Sequence, residues 1–459
     1  MFRFGITFKR LLLVCGDLAI FQGALLLTLL LRYGRIEPGA WNLHAAPFGV
    51  VSALWIVGSY IAGLYDFNVL KNGIKFFRLY LEGMIANLAV ALAFFYLIPI
   101  FTIEPRTNLF LYFAIVLLLG YGWRLAYNRY VANALFRNRV LFIGSGMDAA
   151  KIRTLLARSA FGFDLVAILE TNAGPRFEDD RIAWFSSIER LEEIIRDQQI
   201  NTVLLGHRPE EIPGLRDALY KTLFLPVALI DRTALEETIT GRVPLEYVSQ
   251  TWFLEHLREN EKTWYEGVKR VGDILLAIPF GILTLALYPF IALAIKTSSR
   301  GPVLYSQIRV GKFDKPFRIW KFRTMHVDAE KNGPQFTADA KTDPRLFPVG
   351  RILRRLRLDE FPQIWNVLRG DLSFIGPRPE RPEFVGQLTE RMPYYALRHL
   401  TRPGLTGWAQ VRFLTPTASL EDNLKKLQYD VYYIKHRSIL LDIAILLKTV
   451  AIVLRRQGT

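Results

Sequence analysis

Cysteine is almost absent from this sequence. Cys15 is the one thiol in 459 residues, so no intramolecular disulfide and no thiolate-bound metal cluster can form. Histidine is scarce as well: His44, His207, His256, His326, His399 and His436 lie too far apart to read as a ligand set, which argues against a zinc site. Acidic residues are in deficit, 42 Asp and Glu against 58 Lys and Arg, for a net charge of +16. Base alone would fit a nucleic-acid binder, but 51% of the residues are hydrophobic, and no nucleic-acid partner is expected. Excess base on an apolar chain fits a membrane protein with basic cytoplasmic faces. The length allows two or three folded units.

Four apolar runs fill the first third of the chain: Leu11 to Leu31, Phe48 to Leu64, Met84 to Ile103 and Leu109 to Trp123. Each approaches the ~20 residues that a helix needs to cross a bilayer core, where only a helix satisfies every backbone group internally. A four-helix transmembrane bundle within residues 1–130 is therefore expected. The first run is followed by no small-x-small cleavage site and reads as a retained anchor. Arg3, Lys9 and Arg10 precede it, Lys71, Lys75 and Arg78 separate the second run from the third, and Arg124, Arg129, Arg137 and Arg139 follow the fourth. The opposite loops hold only Arg32, Arg35 and Arg106, so the charge rule places both ends of the bundle in the cytoplasm.

From residue 137 to 255 short apolar runs alternate with helix-like stretches. RVLFIGSGMDAAKIRTLLARS reads as strand, glycine turn and helix, while DLVAILE, NTVLLG and LPVALID read as further buried strands, which predicts a Rossmann-like α/β domain. The turn Gly144 to Ala149 fits G-x-G-x-x-A, with Glu170 at the end of the next strand. That pattern suits a dinucleotide, and equally a tight turn that needs glycine for steric reasons.

A fifth apolar run, within residues 272–296, has basic residues on both flanks and contains Pro279 and Pro289. Proline removes a helix hydrogen bond and bends the axis, so a re-entrant helix that returns to the cytoplasmic face is favoured over a fifth complete span. Downstream, Asp359 and Glu360 stand among Arg351, Arg354, Arg355, Arg357, Arg369, Arg378 and Arg381. Phe361, Ile364, Trp365 and Leu368 form a helical apolar stripe, with Asp359 expected as N-cap and Gly370 as the stop. An Asp-Glu pair at a helix start is most often only a cap. Here the surrounding guanidinium groups suit phosphate oxygens, and carboxylates among them suit Mg²⁺, which is typically held by one or two carboxylates plus substrate phosphates. The same arginines would also attract anionic membrane lipids.

KRVGDILLAIPFGI, SSRGPVLYSQIRVGKFDKPFRIWKFRTM, LDEFPQIWNVLRGDLSFIGPRP and RPGLTGWAQV follow one another in order. Together they resemble the bacterial sugar transferase family, the monotopic polyprenyl-phosphate phosphoglycosyl transferases, over about residues 265–459. The four-helix front with a Rossmann-like domain resembles the long members, and LQYDVYYIKHRSILLDIAILLKTVAIVL the exopolysaccharide branch. The resemblance implies a mainly α catalytic domain with interfacial helices, on the cytoplasmic face of a bacterial inner membrane. It implies transfer of a sugar 1-phosphate from a UDP-sugar to undecaprenyl phosphate, with Mg²⁺. Asp359 would be the nucleophile and Glu360 the metal ligand. Lys321, Arg323, Arg354 and Arg378 would contact phosphates, and Gly404, Thr406, Gly407 and Gln410 would border the nucleotide. A homodimer through the front domains is consistent with the resemblance.

One departure is Tyr288-Pro289, where the family commonly has Ser-Pro at the bend, which leaves Pro279 as another candidate for the break. The closing run Ile439 to Leu454 carries Asp442 and Lys448 and reads as an interfacial helix. Two other readings are a membrane-anchored NAD-dependent sugar-nucleotide dehydratase, whose Tyr-x-x-x-Lys signature appears at Tyr265 to Lys269, and a non-catalytic scaffold of polysaccharide assembly.

Overall fold

The computed structural model describes residues 2–35, 38–65, 73–97, 106–132, 138–158, 162–171, 176–206, 209–257, 262–329, 331, 343–414, 417 and 419–454. The chain divides into two compact units, Met1–Ile239 and Thr240–Thr459.

The first unit opens with α1 (Phe2–Tyr33), α2 (Pro38–Ile61), α3 (Ile74–Leu97) and α4 (Arg106–Ala126). All four contain stretches long and apolar enough to cross a membrane. Two boundaries differ from those expected. α2 starts at Pro38, ten residues before the apolar run, and carries Pro47 inside it. α3 starts at Ile74, not at Met84, and its first turns hold an exposed Arg78–Glu82 ion pair at 2.8 Å. An apolar-run reading stops at charged and proline-bearing ends that an ion pair and a first-turn proline let the helix include. The expected end of the third run, residues 98–103, lies outside the described residues. Around Phe48, Trp55 and Tyr112 the packed interior holds polar cross-links: Trp55 Nε1 donates to the Asn87 carbonyl at 2.7 Å, and Arg124 pairs with Asp17, which also accepts from Tyr65 at 2.6 Å.

The same unit holds a parallel sheet of five strands in the order β3-β2-β1-β4-β5. Its strands are β1 (Asn138–Gly144), β2 (Phe163–Glu170), β3 (Ala183–Phe185), β4 (Thr202–Leu205) and β5 (Ala228–Asp231). With α5 (Gly146–Arg158), α6 (Leu191–Asp197), α7 (Leu215–Thr222) and α8 (Arg232–Thr240) they build the doubly wound order expected of a Rossmann-like domain. Apolar clusters around Phe142 and Leu141 cover the two faces. At the glycine turn, Asp148 accepts from Ser145 and pairs with Arg232 at 2.7 Å, while Glu170 pairs with Arg176 at 2.6 Å.

The second unit contains α9 (Gln250–His256), α10 (Thr263–Ser298), the antiparallel hairpin β6 (Leu304–Val310) and β7 (Pro316–Phe322), α11 (Pro348–Arg355) and α12 (Ile364–Arg369). It continues with β8 (Ser373–Ile375), α13 (Pro382–Arg391), β9 (Gly404–Thr406), which pairs parallel with β8, α14 (Trp408–Arg412), α15 (Leu420–His436) and α16 (Ile439–Leu454). α10 is one helix of 36 residues that continues through both Pro279 and Pro289. Near its start Arg270 donates to the Leu368 carbonyl at 2.7 Å, and Asp273 accepts from Ser373 Oγ and from the Phe374 amide, each at 3.0 Å. At its end Ile291 and Ile295 pack with Phe322, Phe347 and Leu353, and Arg323 donates to the Ser299 carbonyl at 2.9 Å. Both ends are thus fixed to the same unit, while Leu275, Ile282, Leu285, Phe290 and Leu293 between them are exposed.

Tyr265 and Lys269 are engaged by α16. Each donates to Asp442 Oδ2 at 2.7 Å, and Tyr433 donates to Oδ1 at 2.9 Å. The Tyr-x-x-x-Lys spacing is therefore a structural lock between two helices, which removes the feature that pointed to a dehydratase. Asp442→Ala leaves the Lys269 ammonium buried without its partner, and a loss of about 3–5 kcal/mol is expected. Thermal unfolding in detergent checks this, with Lys269→Met on the same background expected to recover most of the loss.

Candidate active site

Leu358–Gln363 forms a 3₁₀ turn before α12, and the residue that opens it is Arg357, in the left-handed region at φ 59°. Asp359 is not the N-cap that the spacing implied, because the turn is capped two residues earlier, at Arg357. Gly370, at φ 93°, closes α12 as expected. In a 3₁₀ turn residues i and i+3 eclipse, so Glu360 and Gln363 share a face and Asp359 points aside from it.

Glu360 receives the Lys321 ammonium from β7 at 2.8 Å and lies 3.7 Å from the Arg378 guanidinium. Burial pushes its carboxyl up, but Lys321, Arg378 and Arg357 outweigh that and hold it well below the usual carboxylate range. Asp359 is 7% exposed, and no described donor bonds its carboxylate. Burial and the Glu360 charge push it up to about 6, against the pull of Lys321, Arg354 and Arg357. The adjacent carboxyls therefore separate into one that a lysine holds ionised and one that is strained toward protonation.

The loop Gly376 to Glu380 faces this pair. Arg309 from β6 donates to the Pro379 carbonyl at 3.0 Å, the Val310 amide donates to the Glu380 carbonyl at 3.0 Å, and Arg398 donates to the Arg378 carbonyl at 2.9 Å. Arg398 is itself buried against Asp430 at 3.0 Å. The Arg378 backbone is thus fixed while its side chain stays half-exposed. Behind it, β8 and β9 approach so closely that a Cβ on Gly404 would lie 2.1 Å from the Gly376 nitrogen, and one on Gly407 2.1 Å from the Gly376 carbonyl oxygen. Only glycine permits that contact.

A cleft lined by Arg309, Ile319, Lys321, Glu360, Gln363, Arg378, Pro379, Gly404 and Leu405 results. Of the residues expected at the site, Lys321, Glu360, Arg378 and Gly404 meet there. Arg354 donates to Thr324 at 3.0 Å and lies close enough to Asp359 to interact with its charge. Arg323 is spent on Ser299 and Pro302 at the end of α10. Thr406 bonds Thr449 at 2.7 Å, and Gln410 donates to the Leu405 carbonyl at 3.2 Å, so both brace the β9 segment. Pro279 and Pro289 stay within α10.

Sequence reasoning missed Arg309 and Gln363. Arg309 sits in the motif SQIRV, and burial together with the charges of Arg378 and Arg381 pushes it down to about 10. Gln363 could have been found by counting three residues on from Glu360, had the turn been read as 3₁₀. Among the described residues no three His, Cys, Asp or Glu side chains converge on one point. A Mg²⁺ ion held by one or two carboxylates and substrate phosphates needs no such group, so the ionised Glu360 fits it.

Because folding raises the Asp359 pKa, keeping that group ionised costs stability above about pH 6, and the cost vanishes as acid protonates it below the unfolded value near 4. Asp359→Asn should stabilise the protein by on the order of 2 kcal/mol at neutral pH, and by progressively less toward pH 4. Unfolding midpoints of the two proteins across that range check the sign.

The sequence profile of the family described as Bacterial sugar transferase matches residues 264–456. The UDP-N-acetylgalactosamine-undecaprenyl-phosphate N-acetylgalactosaminephosphotransferase of Aeromonas hydrophila is 43% identical over 234 residues, 49% of this chain and 52% of that protein. The UDP-glucose:undecaprenyl-phosphate glucose-1-phosphate transferase of Klebsiella pneumoniae is 30% identical over 441 residues, 89% of each chain, which extends the similarity into the first unit. The undecaprenyl-phosphate glucose phosphotransferase of Komagataeibacter xylinus is 33% identical over 329 residues, 68% of this chain and 58% of that protein. With a match that runs nearly end to end and a cleft built from the motifs in their expected order, the chain belongs to the bacterial sugar transferase family.

Proposed function

We propose that this protein transfers a sugar 1-phosphate from a UDP-sugar to undecaprenyl phosphate, giving undecaprenyl-diphosphate-sugar and UMP, as the first membrane step of exopolysaccharide or related glycan synthesis. The activities by which the relatives are named support the reaction class. The observation that carries it in this chain is the pairing of an unengaged, buried Asp359 with a neighbour that Lys321 and Arg378 hold ionised.

In this reading an Asp359 oxygen forms a bond to the sugar-bearing phosphorus as the bond to the UMP oxygen breaks, leaving an aspartyl phospho-sugar. The phosphate of undecaprenyl phosphate then attacks the same phosphorus and releases Asp359. Phosphoryl transfer asks chiefly for in-line placement and neutralisation of the equatorial oxygens, which Lys321, Arg378 and Arg309 are placed to supply. Two displacements at one carboxylate mean that the soluble donor and the lipid acceptor need not be bound in line together. Mg²⁺ held by Glu360 and the donor phosphates would add charge neutralisation.

α10 supports the membrane placement. Its two ends are tied to one unit and its exposed apolar middle lies between them, which supports a re-entrant helix seated in the cytoplasmic leaflet of the inner membrane. Exposed Ile352 and Leu356, beside Arg351 and Arg355, and exposed Leu440 and Leu454 on α16 support interfacial contact with lipid. The prenyl phosphate would then reach the cleft at headgroup level.

A radiolabelled panel of UDP-sugars with undecaprenyl phosphate in nanodiscs is expected to give a labelled lipid and UMP from at least one donor. Asp359→Asn should reduce that transfer by at least about a thousandfold, of the size seen when a nucleophile is removed. Undiminished transfer by the variant would sink the nucleophile assignment and favour a scaffold. EDTA should stop the wild-type reaction, with added Mg²⁺ restoring it.

A further inference from the structure

Gln363 closes the 3₁₀ turn that carries Asp359 and Glu360. Its side chain lines the cleft but is only 3% exposed, and its Nε2 makes no hydrogen bond. A buried donor left unpaired costs about 1–3 kcal/mol, whereas an apolar side chain of the same shape would carry no such cost. The nearest carboxylate on the turn, Glu360, gives its Oε1 to Lys321. Arg309 Nε is a second buried donor in this cleft without a partner. Two unmet donors beside a lysine and an arginine match a ligand that offers acceptors, as phosphate oxygens do.

The turn fixes what Gln363 faces. At three residues per turn it eclipses Glu360, and Asp359 stands a third of a turn to the side. In an in-line displacement the attacking and leaving oxygens share one axis, and charge spreads over the oxygens around it. A side chain beside the nucleophile, on the same turn, faces those equatorial oxygens and not the leaving group.

We propose that Gln363 donates its amide N–H to an equatorial oxygen of the phosphorus that Asp359 attacks, as a neutral phosphate contact between the cations Lys321 and Arg378. This rests on the phosphotransfer reading above. A further cation at this position would add to the repulsion that Arg309 already meets from Arg378, which gives a physical reason for an amide here.

The test uses full-length protein in nanodiscs with undecaprenyl phosphate and whichever UDP-sugar the wild type accepts. For Gln363→Leu, kcat/KM should fall about 10- to 100-fold, the range for a hydrogen bond to a charged group. Its unfolding midpoint should hold or rise, since the unpaired donor is gone. Gln363→Glu, the same shape with an anion, should lose more, and it carries the test if the leucine variant does not fold. With the two β-phosphorothioate diastereomers of the donor, wild type should discriminate between them, and Gln363→Leu should narrow that difference. Activity within twofold of wild type in either variant overturns the proposal. So does a rate loss that leaves the diastereomer preference intact together with a lowered midpoint, the signature of a structural role. A wild type that transfers from no UDP-sugar overturns the phosphotransfer reading itself, and this inference with it.

Discussion

The contact between Lys321 and Glu360 sets the charge balance of the carboxyl pair in the second unit. It joins the β6/β7 hairpin to the 3₁₀ turn, and at 2.8 Å it keeps one of two adjacent carboxyls ionised. Two neighbouring carboxylates in a buried setting raise one another's pKa unless a cation compensates one of them. Lys321 compensates Glu360, so the strain falls on Asp359, which burial and the neighbouring charge push up to about 6. A carboxylate in that condition gains by bonding to phosphorus, since the bond removes a buried charge that stands beside Glu360.

The rest of the second unit holds this arrangement in place. α10 is secured at its start by Arg270, Asp273 and the Lys269–Asp442 pair and at its end by Arg323, so the turn packed against it cannot drift from this apolar helix. Arg398 and Arg309 fix the Arg378 loop by its carbonyl oxygens, and the β8/β9 glycines let that loop approach closely. Several residues that look like ligand-binding groups by type therefore serve as braces, Arg323 and Gln410 among them. A motif marks where a chain must be built closely, and only the geometry separates its braces from its contacts.

Much of this was legible in the sequence. Long apolar runs marked α1 to α4, because a bilayer-length helix needs a composition that little else has. Short apolar runs between helical stretches marked the parallel sheet, whose inner strands β1, β2 and β4 are mostly buried. The ordered motifs singled out Lys321, Glu360 and Arg378, which line one cleft. What escaped depends on details that residue type does not encode. The 3₁₀ turn opens on Arg357 at positive φ, a conformation that costs a non-glycine residue about 1–2 kcal/mol and is not read from composition. Pro279 and Pro289 both lie inside α10, which runs through them as one helix of 36 residues. Arg309 and Gln363 became visible only when the hairpin and the turn faced the same cleft.

The central claim is that Asp359 carries the phospho-sugar between two substrates. The most direct measurement is the intact mass of the protein, followed by peptide mapping, after exposure to an accepted UDP-sugar with Mg²⁺ and no undecaprenyl phosphate. The account predicts a gain of one sugar phosphate on the peptide that contains Asp359, with release of UMP, and loss of that gain when undecaprenyl phosphate is added. An unmodified protein that releases UMP only when both substrates are present, or an adduct on any other residue, would contradict it.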